Sequence, residues 1–301
     1  MSVSSAGDVD GDGKDDILIG AKSADGENNL SDTEAIGETY LVFGKSLDGV
    51  GDDDIPLTAS GGVDLGNLGT HGVTIYGRDK ADGSGNSVSS AGDIDGDGKD
   101  DILIAAMGAD RVDGTIMTSG ETYLVFGSHL ATNPETMDLS DLSDGKGVVL
   151  MNIGHVDYGS KTISSAGDVD GDGIPDILIS ADNHERDGEK TGEAYLVFGS
   201  HLATKPETVD LDDLSGGKGV RLDGINDFDD MSWGLSSAGD IDGDCRDDIL
   251  IGAPQADQGD NLGSGETYLI SGYTLDLAAD GIGVATPGVI DLAADLDLGL
   301  G

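Results

Sequence analysis

The chain has 301 residues, a formal net charge of −45, 51 glycines and only 4% aromatic residues. Such a balance repels nucleic acid and anionic membrane surfaces and attracts cations. No apolar run approaches the ~18 residues of a membrane helix, so neither nucleic-acid binding nor membrane insertion is expected. One cysteine, Cys245, excludes an internal disulfide. The opening residues, MSVSSAGD, lack the basic and apolar regions of a signal peptide and resemble the middle of a repeat. The expectation is a fragment, or an export route encoded elsewhere.

Four strand-like words follow one another along the chain. The first is SVSSAG, which in the second repeat spans Ser87 to Gly92. The second is DILIGA, Asp16 to Ala21. The third is GETYLVFG, Gly37 to Gly44, returning at Gly120, Gly192 and Gly265. The fourth is GVTIYG from Gly72, then GVVLMN from Gly147 and GVRLDG from Gly219; in the last repeat it is placed at Gly283 to Leu292. Between the first and second words lies an acidic loop, starting at Asp8, Asp93, Asp168 and Asp240. Its return at intervals of roughly 70–85 residues marks tandem repetition. The repeats are placed at 1–83, 84–157, 158–230 and 231–301 within a single domain.

The second and third words are apolar runs too short for helices and bounded by glycine, so they read as strands covered on both faces. A propeller packs every blade between two neighbours and buries both faces. The expected fold is all-β, a β-propeller of four-stranded antiparallel blades. It either closes with four blades or forms part of a larger, seven-bladed ring. The small residues of the first word suit the innermost strand, where blades crowd the axis.

The loop reads D-x-D-G-D-G-x-x-D. Positions one, three, five and nine are Asp8, Asp10, Asp12 and Asp16; then Asp93, Asp95, Asp97 and Asp101; then Asp168, Asp170, Asp172 and Asp176; then Asp240, Asp242, Asp244 and Asp248. Four carboxylates in nine residues repel one another unless a cation sits among them. Position seven can add a backbone carbonyl, from Lys14, Lys99, Ile174 and Arg246. An all-oxygen cage of this kind suits Ca²⁺ better than Zn²⁺ or Mg²⁺. About four calcium sites are expected. The loop is not an EF-hand, because position twelve is Ile19, Ile104, Ile179 and Ile251 instead of glutamate. The alternative is an acidic turn held by aspartate-to-backbone hydrogen bonds alone. Glycine at position six permits a left-handed turn. Cys245 replaces it in the fourth loop, so the site at Asp240 to Asp248 is expected to be the weakest.

S-x-A-G-D-x-D-G-D-G-x-x-D-I-L-I-G-A followed by G-x-x-Y-L-V-F-G resembles the FG-GAP repeat of the N-terminal propeller of integrin α-subunits. Tandem versions in bacterial surface or secreted proteins are similar, and the linking phrases Asp138 to Val148 and Asp210 to Val220 strengthen the likeness. The chain departs from the pattern in spelling G-A-P only at Gly252 to Pro254. The resemblance implies a calcium-binding, extracellular or cell-surface scaffold for adhesion or recognition, and not an enzyme. It places a protein or glycan ligand on the rim opposite the calcium loops. The loops there are Lys22 to Ile36, Met107 to Ser119, Asp182 to Thr191 and Pro254 to Ser264. The alternatives are a lectin-like propeller binding glycans and a non-catalytic accessory domain of a larger secreted enzyme. His129 and His201 hold the same place in successive repeats, which reads as duplication. Trp233 is expected to be a packing wedge.

Overall fold

The computed structural model describes residues 1–24, 35–47, 63–110, 119–132, 135–151, 160–181, 191–226, 229–257, 263–281 and 288–292. In the first repeat the strands are β1 (Ser2–Gly7), β2 (Asp16–Ala21), β3 (Glu38–Val42) and β4 (Gly72–Tyr76). The second repeat holds β5 (Ser84–Gly92), β6 (Asp101–Ala106), β7 (Glu121–Val125), a short helix α1 (Gly127–Leu130), β8 (Thr136–Asp138) and β9 (Gly147–Met151). The third holds β10 (Ile163–Gly167), β11 (Asp176–Ala181), β12 (Glu193–Val197), α2 (Gly199–Leu202), β13 (Thr208–Asp210) and β14 (Gly219–Asp223). The fourth holds β15 (Gly234–Gly239), β16 (Asp248–Ala253), β17 (Glu266–Ile270), α3 (Gly272–Ala279) and β18 (Val289–Asp291).

The strand words pair as neighbours within each blade. β1, β2, β3 and β4 run antiparallel in that order, as do β5, β6, β7, β9 and β10, β11, β12, β14. The small-residue strands are innermost and meet across blades, β1 against β5, β5 against β10 and β10 against β15. Serine hydroxyls bridge them: the Val88 amide donates to Ser2 Oγ at 3.3 Å and the Ile163 amide to Ser87 Oγ at 3.3 Å.

Two features differ from the expectation. Each of the first three sheets gains a fifth, parallel strand lent by the next repeat: β8 joins β4, β13 joins β9 and β18 joins β14. The expected fourth strand of the last repeat is therefore corrected. Residues 283–287 lie outside the described residues, and Val289–Asp291 belongs to the third blade's edge. The last blade shows three strands among the described residues. The cause is packing, since Met137, Val209 and Ile290 on the lent strands are each buried between two blades. The linking phrases that follow drop Leu139 and Leu142, or Leu211 and Leu214, into the same layers.

The core is thus a set of layers between blades. Leu18 and Leu41 of the first blade meet Ile102, Ile104 and Tyr123 of the second. Leu103 and Leu124 meet Ile177, Ile179 and Tyr195, and Leu178 and Leu196 meet Ile249 and Ile251. Even and odd positions of one strand serve opposite layers, which is why the words are apolar throughout. Polar links cross the layers too: Arg78, after β4, sets its guanidinium 2.8 Å from the buried Glu121 carboxylate of the second blade. Among the described residues, no helix is long and apolar enough to cross a membrane.

Candidate metal centres

Each acidic loop curls on hydrogen bonds from its own backbone to its aspartates. Asp8 accepts from the amides of Asp12 (2.9 Å) and Gly13 (2.8 Å), and the Lys14 amide donates to Asp12 at 3.0 Å. The second loop repeats this with Asp93 accepting from Asp97 and Gly98 and Asp97 from Lys99. In the third, Asp168 accepts from Gly173 and Asp172 from Ile174; in the fourth, Asp240 accepts from Asp244 and Cys245 and Asp244 from Arg246. The curl gathers Asp8, Asp10 and Asp12; Asp93, Asp95 and Asp101; Asp168, Asp170 and Asp176; and Asp240, Asp242 and Asp244, each set with ligand oxygens within 4.8 Å of one another.

Position nine has a second duty that residue spacing did not reveal. Asp16 accepts from the Val9 amide (3.0 Å) and from Gly44 (2.7 Å), just past β3. Asp101 does the same for Ile94 and Gly127, Asp176 for Val169 and Gly199, and Asp248 for Ile241 and Gly272. One carboxylate therefore ties loop, second strand and third strand together. The signal for it was present, because position nine always opens an apolar strand and so is buried. Burial raises these carboxyls, Asp16 to about 6, Asp101 to about 7 and Asp176 to about 8, against the lowering effect of their two backbone hydrogen bonds.

Position eight links neighbouring loops. Asp100 accepts from the Asp8 amide at 2.7 Å while its own amide donates to the Asp8 carbonyl. Asp247 makes the same pair of bonds with Asp168, at 2.9 Å and 2.8 Å. Pro175 holds that place in the third loop and has neither group. The close approach crowds the glycine before each of the first three loops: a β-carbon at Gly7 would sit 2.0 Å from Asp100 Oδ2.

The carboxylate sets fit a hard cation. In the third loop one oxygen, Asp168 Oδ1, is buried without a hydrogen-bond partner, and burial lifts Asp170 to about 6. Elsewhere lysines answer the charge: Lys45 bonds to Asp10, and Lys205 lies 2.7 Å from the buried Asp95. All donors are oxygens, which favours Ca²⁺-like chemistry over soft metals.

Cys245 has φ +72°, the left-handed region taken by Gly13 at +88° in the first loop. The expected strain is therefore present. Cys245→Gly should raise stability by about 1 kcal/mol, with tighter calcium binding at this loop; a thermal melt with a calcium titration checks both. Trp233, expected to be a packing wedge, is instead 52% exposed, because among the described residues no following blade covers its side of the sheet. His129 and His201 occupy one place in α1 and α2. The loops expected to carry a ligand, Lys22 to Ile36, Met107 to Ser119, Asp182 to Thr191 and Pro254 to Ser264, lie for the most part outside the described residues.

A blade of four antiparallel strands, an aspartate loop after its innermost strand and layers of core between blades define a repeat propeller. The FG-GAP repeat family model matches residues 2–35, 84–123, 162–197 and 232–270. The chain is an FG-GAP repeat protein of the integrin-α propeller type. It is 31% identical over 207 residues to integrin alpha-5 of Xenopus laevis, covering 65% of this chain and 17% of that protein. It is 28% identical to integrin alpha-4 of the same organism, over 54% of this chain and 14% of that one. Phosphatidylinositol-glycan-specific phospholipase D of Dictyostelium discoideum is 27% identical over 64% of this chain and 20% of its own length. The chain thus spans a fifth or less of these relatives.

Proposed function

We propose that this chain is a calcium-stabilised recognition scaffold, extracellular or on a cell surface, without catalysis of its own. The observation that carries the calcium reading is the buried, unpartnered Asp168 Oδ1 among Asp170 and Asp176. Positions one, three and five would hold the ion, position nine would contribute from the strand, and the carbonyls of Lys14, Lys99, Ile174 and Arg246 would complete the shell. The ion would supply charge neutralisation and rigidity. The protein's own groups hold the loop curled and tie it to the next blade. The integrin-α relatives support adhesion or recognition, and variable loops on a repeated frame are a suitable place for a protein partner. The phospholipase D matches favour a second reading, an accessory domain beside a catalytic one.

Calorimetric titration of the chain with calcium tests the proposal. Several ions per chain are expected, with affinities on the order of 10⁻⁴–10⁻³ M, as in other extracellular modules. The double variant Asp168→Ala, Asp170→Ala should bind one fewer. An absence of bound ion in the wild-type chain would overturn the calcium reading.

A further inference from the structure

The acidic loops are near copies of one another, but the positive charge placed beside them is not. At the second loop that charge is Lys205, just past α2 in the third blade. Its ammonium lies 2.7 Å from Asp95 Oδ2 and 4.7 Å from the centre of the buried Phe126 ring. Asp95 Oδ1 accepts from the Asp97 amide, so both oxygens of this carboxylate are engaged. At the first loop the charge is Lys45, which bonds to Asp10 and lies 4.8 Å from the centre of the Phe43 ring.

Both lysines depart from the repeat. The third repeat reads FGSHLATKPET where the second reads FGSHLATNPET, so Asn133 holds the place of Lys205. Lys45 follows Phe43 and Gly44, where the next two repeats have Ser128 and Ser200. Lys205 also has φ +55°, a left-handed conformation past a helix end that glycine takes more readily. The third loop is different. Arg246 runs beside it, 3.3 Å from where a β-carbon on Gly171 would sit, but turns its guanidinium to Asp276 at 2.7 Å. Burial raises the Asp170 carboxyl, and the charges of Asp172, Asp168 and Asp276 add to it. Asp168 Oδ1 is left buried without a partner.

We propose that Lys45 and Lys205 are tethered cations that stand in for calcium at the first and second loops, so that the third loop fills first and those two fill only by displacing a lysine. This rests on the calcium reading above. A lysine and a divalent ion repel each other over one set of carboxylates. The tether holds the lysine at a high effective concentration, and its charge-assisted hydrogen bond must break before the ion can use Asp95 or Asp10. When calcium is scarce the lysines keep these two loops neutralised, and Lys205 keeps the second and third blades tied. The third loop, without such a substitute, is the one that responds to the calcium level.

Calorimetric titration with calcium alone, on the full chain and its variants, tests this. Lys205→Met keeps an apolar stem over Phe126 and removes the charge; Lys205→Arg keeps the charge. Lys218→Met is the control for net charge, because Lys218 bonds to Asp213 instead of a loop aspartate. Lys205→Met should tighten one weak site roughly tenfold, while Lys205→Arg and Lys218→Met bind as the wild type does. In chelator Lys205→Met should melt below the wild type, and calcium should close the gap. Lys45→Met should tighten a weak site in the same way, which keeps the test open if Lys205→Met does not fold. The double variant Asp168→Ala, Asp170→Ala should lose the tightest site. Ions bound to the wild type with unchanged affinities in both methionine variants overturn this inference and leave the calcium reading standing, as does loss of a weak site from the double variant. No ion bound to any of these chains overturns both.

Discussion

In chelator, the thermal midpoint should rise as the pH falls from about 8 to about 5, the reverse of ordinary acid denaturation. Five buried or half-buried carboxyls carry the effect. Burial raises Asp16 and Asp170 to about 6, Asp82 and Asp101 to about 7 and Asp176 to about 8. In the unfolded chain each returns to its ordinary value near 3.8. The folded state therefore binds more protons across this window. The associated stability is fully present below about pH 4 and is lost as pH rises through 6 to 8. A tenfold gain in a carboxyl's proton affinity on folding is worth about 1.4 kcal/mol, so the combined effect is on the order of several kcal/mol. The net charge of −45 adds self-repulsion in the same direction.

Calcium should remove most of this dependence, because the ion takes the place of the protons. A site occupied at about one hundred times its dissociation constant adds about 2.7 kcal/mol. The calcium-induced rise in midpoint should thus be largest near pH 8 and smallest near pH 5. Melts at the two pH values, with and without calcium, read this directly. A midpoint in chelator that falls on acidification would contradict the carboxyl account, and one indifferent to calcium near pH 8 would contradict the ion.

Asp101→Ala should be among the most damaging single changes in the chain, and calcium should not rescue it. Its carboxylate accepts from the amides of Ile94 at 2.9 Å and Gly127 at 2.8 Å, and it is fully buried. Alanine leaves two buried donors unsatisfied at about 1–3 kcal/mol each. A loss of about 2–6 kcal/mol lowers the midpoint by roughly 5–20 °C in a domain of this size. The contrast is Asp97→Asn, at the exposed fifth position of the same loop. It should leave the midpoint in chelator nearly unchanged and reduce the response to calcium. Equal midpoints for Asp101→Ala and wild type in chelator would show that position nine serves only the ion.

The repeat, its strand words and the curled loop could be read from residue order, because all three depend on local patterns. Apolar runs bounded by glycine specify strands, and alternate aspartates before a fixed glycine specify a turn. The strain at Cys245 was readable for the same reason, since a left-handed φ is a property of one residue. The four copies made each inference stronger by repeating it in altered surroundings.

What residue order left open depends on contacts between blades. Thr136–Asp138, Thr208–Asp210 and Val289–Asp291 are three-residue strands with no periodicity of their own; they are strands because a neighbouring sheet offers an unpaired edge. Asp100 and Asp15 are identical side chains in matching loops, yet among the described residues Asp100 accepts from the amide of the blade before it while Asp15 is exposed. Ile241 and Val9 likewise differ in exposure because of what lies beyond them. Local sequence sets the conformation of each blade, but burial and hydrogen-bond partners belong to pairs of blades, and those pairs exist only once the chain has stacked.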